Sequence, residues 1–117
     1  MEPVAAMKRP NSHIPRPRTL AEYVDLVDQA IFEIEELRAA AEYDMDSLGD
    51  AVHGINDLER QVRQLRLSLS NGSHRFGGED LLFMALVERQ DDRVLPFKYL
   101  FRMINETHRE GLAVEDT

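Results

Sequence analysis

The 117-residue chain has no cysteine and no tryptophan, only six glycines, and four of its five prolines lie within the first seventeen positions. Without cysteine there is no disulfide framework, thiolate metal site or cysteine nucleophile. No window of eighteen apolar residues occurs, and the first twenty residues lack the apolar stretch of a signal peptide, so the chain reads as cytoplasmic. A second scarcity is of positive charge: between Thr19 and Asp57 a single base, Arg38, stands against eleven acids.

The net charge of −8 is unevenly spread. Residues 1–18 hold four bases and one acid (+3), residues 19–57 come to −10, and residues 58–117, with ten acids and nine bases, to −1. So acidic a body repels phosphates and anionic lipid, which argues against direct nucleic-acid or membrane-surface binding. Residues 1–18, with Pro3, Pro10, Pro15 and Pro17 and no apolar period, read as a disordered basic leader. Met7 within it is an alternative start.

The remainder predicts an all-α fold, in which a long first helix packs against a second and two shorter ones follow, as a single domain over 19–112 with a frayed end at 113–117. Thr19-Leu20-Ala21-Glu22 has the form of a capping box and sets the first start. From there Leu20, Val24, Val27, Ile31, Ile34, Leu37, Ala41, Met45, Leu48 and Val52 recur every three or four positions, one face of a helix. The period continues through Ile55, Leu58, Val62, Leu65 and Leu69. Gly49 and Gly54 each cost about 1 kcal/mol inside a helix, and Asn56 offers a new cap, so the expected break is at Gly54–Asn56, with Asp46–Gly49 as the alternative. The second helix then spans about 57–70 and ends at Asn71-Gly72.

A third helix is expected to begin near Glu79 and, with Leu81, Leu82, Met84, Ala85, Leu86 and Val87 all apolar, to be well buried. A fourth starts at Pro96, carries Phe97, Leu100, Phe101, Ile104 and His108 on one face, and closes at Gly111-Leu112 in a Schellman ending. Arg60, Arg63 and Arg66 form a basic ridge on the second helix, placed to answer part of the acidity of the first.

The motifs that carry chemistry are incomplete. Asp44-Met45-Asp46-Ser47-Leu48-Gly49 starts like an EF-hand loop, but its twelfth place, which must supply a bidentate carboxylate, is Ile55. Asp50 and His53 stand three apart as in di-iron bundles, with Glu42 and Asp46 on the same side, yet no second such pair exists, because His74 and His108 have no acid three residues before them. The loop from Asn71 to Gly78 lacks the Gly-Lys-Ser/Thr ending of a phosphate loop, and Glu79 and Asp80 occupy the place of the phosphate. No catalytic centre and no cofactor are therefore expected.

Two stretches, Asp25-Leu26-Val27-Asp28-Gln29-Ala30 through Glu42-Tyr43-Asp44-Met45-Asp46-Ser47, and Leu95-Pro96-Phe97-Lys98 through Ile104-Asn105-Glu106-Thr107-His108-Arg109, resemble a family of small, uncharacterised proteobacterial helical proteins, some of them labelled general secretion pathway protein. The resemblance spans about residues 19–112 and implies a bacterial, cytosolic origin. It brings no catalytic residues.

The sequence thus predicts an adaptor or interaction protein, homodimeric through apolar helix faces, that offers a basic protein partner the acidic surface around Glu35, Glu42, Asp46 and Asp50. Two alternatives stand beside it. One is a metal-binding helical bundle using Glu42, Asp46, Asp50 and His53; the other is an acidic secretion-type chaperone or nucleic-acid mimic.

Overall fold

Among the described residues, period-three-and-four hydrophobicity resolves into four helices: α1 (Leu20–Tyr43), α2 (Ala51–Ser70), α3 (Met84–Arg89) and α4 (Lys98–Glu110). The computed structural model describes residues 15–43 and 51–113, without the side chains of residues 43 and 51–53. The fold is all-α, and no strand occurs among the described residues.

At the start of α1 the Thr19 hydroxyl accepts the Glu22 N–H (3.1 Å), while the Glu22 carboxylate accepts the Arg18 N–H (2.8 Å), one residue earlier than in the standard box. Three cross-helix ion pairs fix how α2 returns along α1: Asp28 with Arg66 (2.7 Å), Glu35 with Arg63, and Arg38 with Glu59. As the numbers rise on α1 they fall on α2, so the two helices are antiparallel. Two of the three arginines of the ridge reach across; Arg60 instead pairs with Asp57 on its own helix.

Beneath this seam lies the core. Val27, Ile31, Ile34 and Ala41 of the expected α1 stripe are buried, joined by Tyr23 and Ala30, which turn the stripe toward α4. Leu20, in the first turn, stays nearly half exposed. From α2 come Ile55, Leu58, Val62, Leu65 and Leu69, and from α4 Leu100, Phe101 and Ile104. The Tyr23 hydroxyl donates to the Ile104 carbonyl (3.0 Å) and ties α1 to α4. Burial pushes its phenol well above the ordinary range. The Lys98 ammonium, almost buried, is answered by Asp92 at 3.0 Å.

Several boundaries differ from those expected. The helix does not break at Gly54–Asn56: both residues lie inside α2, whose 20 residues exceed the 14 expected, and the alternative break, Asp46–Gly49, lies outside the described residues. Gly54 faces the end of the Gln90 side chain just beyond α3, where a Cβ would stand 3.1 Å from the amide nitrogen.

The third helix is also shorter than expected, six residues instead of eleven, and is buried only at Met84 and Val87. Residues 79–83 are not helical; there the Leu81 N–H donates to the Asn105 side chain (2.8 Å), whose amide in turn donates to Asp80 (2.9 Å). The Schellman bond appears at the end of α2, where Ser73 N–H donates to the Ser68 carbonyl (2.9 Å) around Gly72 at φ +76. It is absent at Gly111, which takes φ +89 and ψ 177 and leads the chain away, so that Ala113 N–H reaches the Pro17 carbonyl at 2.7 Å. Pro96 precedes α4 rather than forming its first turn.

Candidate interaction surface

The ion-pair seam decides which carboxylates of α1 remain available. Asp28 and Glu35 are committed to α2. Glu22 closes the cap, and Glu33 accepts from Gln29 at 3.1 Å. Asp25, Glu36 and Glu42 make no ion pair among the described residues, and Glu42 is exposed. Asp25, Gln29, Phe32 and Glu36 recur at i, i+4, i+7 and i+11, which aligns them in one stripe on the outer side of α1. Phe32, at 55% exposure, is the apolar centre of that stripe.

Of the acids expected to meet a partner, Glu35 is therefore paired internally and Glu42 is free-standing, while Asp46 and Asp50 lie outside the described residues. His53 is in the first turn of α2, with its side chain outside the description. Among the described residues no three His, Asp or Glu side chains are grouped to hold a metal ion.

A second surface lies at the turn before α3. Leu82 is 86% exposed although it sits between half-buried Leu81 and buried Phe83. It borders a groove of about 690 Å³ walled by Ala85, Glu88, Arg102 and Arg109, and on its other side one of about 520 Å³ walled by Gln61, Gln64 and His74.

The structure also brings together two histidines far apart in sequence. His74 Nε2 and His108 Nδ1 are 3.1 Å apart, one ring N–H donating to the other's lone pair, with Phe76 edge-on to His74 (ring centroids 4.9 Å) and Tyr23 behind. The pair anchors the α2–α3 loop to the last turn of α4, where the Gly77 N–H also donates to the His108 carbonyl. Burial first, and then the charge of His108, hold the His74 imidazole below its ordinary pKa. The unfolded chain takes up this proton near the ordinary value of about 6.5 and the folded chain resists it. Stability is thus full above that pH and falls as pH drops through it. Urea midpoints are expected to decline between pH 7.5 and 5.5, a window above ordinary carboxylate titration, and His74→Gln is expected to remove most of that decline; an unchanged decline in the variant would assign it elsewhere.

Neither Phe32 nor Leu82 was singled out by periodicity. Each follows an apolar neighbour, Ile31 or Leu81, but so do buried residues such as Phe101 after Leu100, and which member of such a pair faces water is set by packing. The chain matches no protein-family model, no curated protein and no solved structure. No helix among the described residues is long and apolar enough to cross a membrane.

Proposed function

We propose that this chain is an adaptor whose outer α1 stripe, Asp25, Gln29, Phe32 and Glu36, takes a basic amphipathic segment of another protein. The observation that carries this reading is the exposed Phe32 flanked at i−7 and i+4 by carboxylates left over after α2 has answered Asp28 and Glu35. A partner helix with one apolar residue against Phe32 and Lys or Arg on either side would complete a coiled-coil-like contact. The apolar contact supplies affinity, and the charges supply selection and rate.

The test is affinity capture followed by mass spectrometry, comparing the wild-type chain with Asp25→Lys/Glu36→Lys. Capture of a partner with a basic amphipathic segment is expected to fall about tenfold or more in the variant and to weaken in about 0.5 M salt. Equal capture of the same proteins by both chains, insensitive to salt, refutes the reading.

A further inference from the structure

We propose that the turn carrying Leu82, with the adjoining groove along α3 and α4, is a self-association surface that receives a second copy of this chain. Leu82 is held out in water by its surroundings. Asn105 fixes the Leu81 N–H and Asp80 from one side, Met84 N–H returns to the Leu81 carbonyl (3.0 Å), and Phe83 and Met84 are locked in the core on the other side. The side chain cannot fold back without withdrawing those two residues. An apolar side chain presented on a fixed backbone loses little freedom when it is bound, which is what an interface anchor requires.

Charge selects the occupant. The α1 helix carries seven acids and one base, so an acidic copy is repelled there, whereas the groove sets Arg102 and Arg109 among Asp80, Glu88, Glu106 and Glu110 and so offers the carboxylates of a second copy cations to meet. Knob and hole are also neighbours: Leu82 borders the groove that Ala85, Glu88, Arg102 and Arg109 wall. A two-fold axis beside Leu82 would seat each leucine in the other copy's groove, the self-complementary arrangement a two-fold interface demands. The exposed Glu88–Arg102 pair (2.8 Å) and Asp80–Arg109 pair (3.5 Å) lie on the rim, where they can exchange partners between copies. None of these residues belongs to the Asp25–Glu36 stripe, so the two readings stand or fall separately.

Sedimentation equilibrium of the full chain up to about 500 μM tests this, a range that covers weak homodimers. The wild type is expected to be a reversible dimer that persists in about 0.5 M salt, because its anchor is apolar. Leu82→Ala is expected to weaken it about tenfold, and Leu82→Glu to leave a monomer whose thermal midpoint equals that of the wild type when both are read at a dilution where the wild type is also monomeric, as the position is exposed. Ala85→Glu, on the same groove wall, gives a second route to the monomer if Leu82→Glu folds poorly. A wild type that stays monomeric throughout, or a dimer untouched by Leu82→Ala and Ala85→Glu, overturns the proposal; so does a dimer broken only by Phe32→Glu.

Discussion

Phe101→Ala is expected to remove about 3–5 kcal/mol of stability, the range for deleting a fully buried aromatic side chain. Phe101 has no exposed surface and stands where three segments converge. Phe83, from the turn before α3, meets it edge-on at 6.0 Å, and Phe97, at the entrance to α4, meets it tilted at 5.7 Å. Neither ring can follow into the space left behind. Phe83 is bound to the turn that Asn105 organises, and Phe97 leads directly into the first hydrogen bond of α4, Leu100 N–H to the Phe97 carbonyl at 3.0 Å. The cavity should therefore persist. A single domain of this size typically has about 5–15 kcal/mol in all, so the loss is a large share of the total. Urea denaturation followed by circular dichroism measures it; a loss below about 1 kcal/mol would show that the three rings are not packed as described.

The ease of reading this chain differed from helix to helix. α2 and α4 were legible because their apolar stripes coincide with the buried faces: all five stripe residues of α2 are buried, as are four of the five of α4, with His108 half-buried. The start of α1 was legible from Thr19 and Glu22, since a capping box is a local device that tertiary packing does not alter. What failed were inferences from local cost. Gly54 costs a helix only about 1 kcal/mol, and the buried contacts of Ile55 and Leu58 outweigh it. Leu81, Leu82 and Met84 promised a buried third helix, but residues 79–83 form a non-helical turn tied to α4 by the hydrogen bond from the Leu81 N–H to Asn105. A long-range hydrogen bond of that kind leaves no mark on periodicity. The candidate surface was half legible: acidity pointed to α1, but which acids stay available depends on the pairing register of α2. The contact between His74 and His108 depends on where the α2–α3 loop lands, which no spacing rule contains.

That register rests on Glu59, and its energetics yield the second large expected effect. Glu59 is only 6% exposed, and its carboxylate is held by Arg38 from α1 and by Arg63 one turn along its own helix (2.9 Å). A buried charge is tolerable while both cations remain and costly once they are gone. Arg38→Met/Arg63→Met keeps the unbranched stem and the helix propensity of both side chains but removes the guanidinium and its charge, and is expected to cost about 3 kcal/mol. Adding Glu59→Leu removes the stranded carboxylate and is expected to bring the triple variant back to within about 1 kcal/mol of the wild type, as replacing a buried ion pair by apolar side chains is often close to neutral. If the triple variant stays as unstable as the double, the loss came from packing of the arginine stems and not from the buried charge. The cycle also separates stability from specificity. Without Arg63, Glu35 joins Asp25 and Glu36 in facing water, and the triple variant, stable but more acidic on α1, should capture basic partners at least as well as the wild type. The seam is therefore a device that fixes helix register and sets how much of the acidity of α1 is left to act outside the molecule.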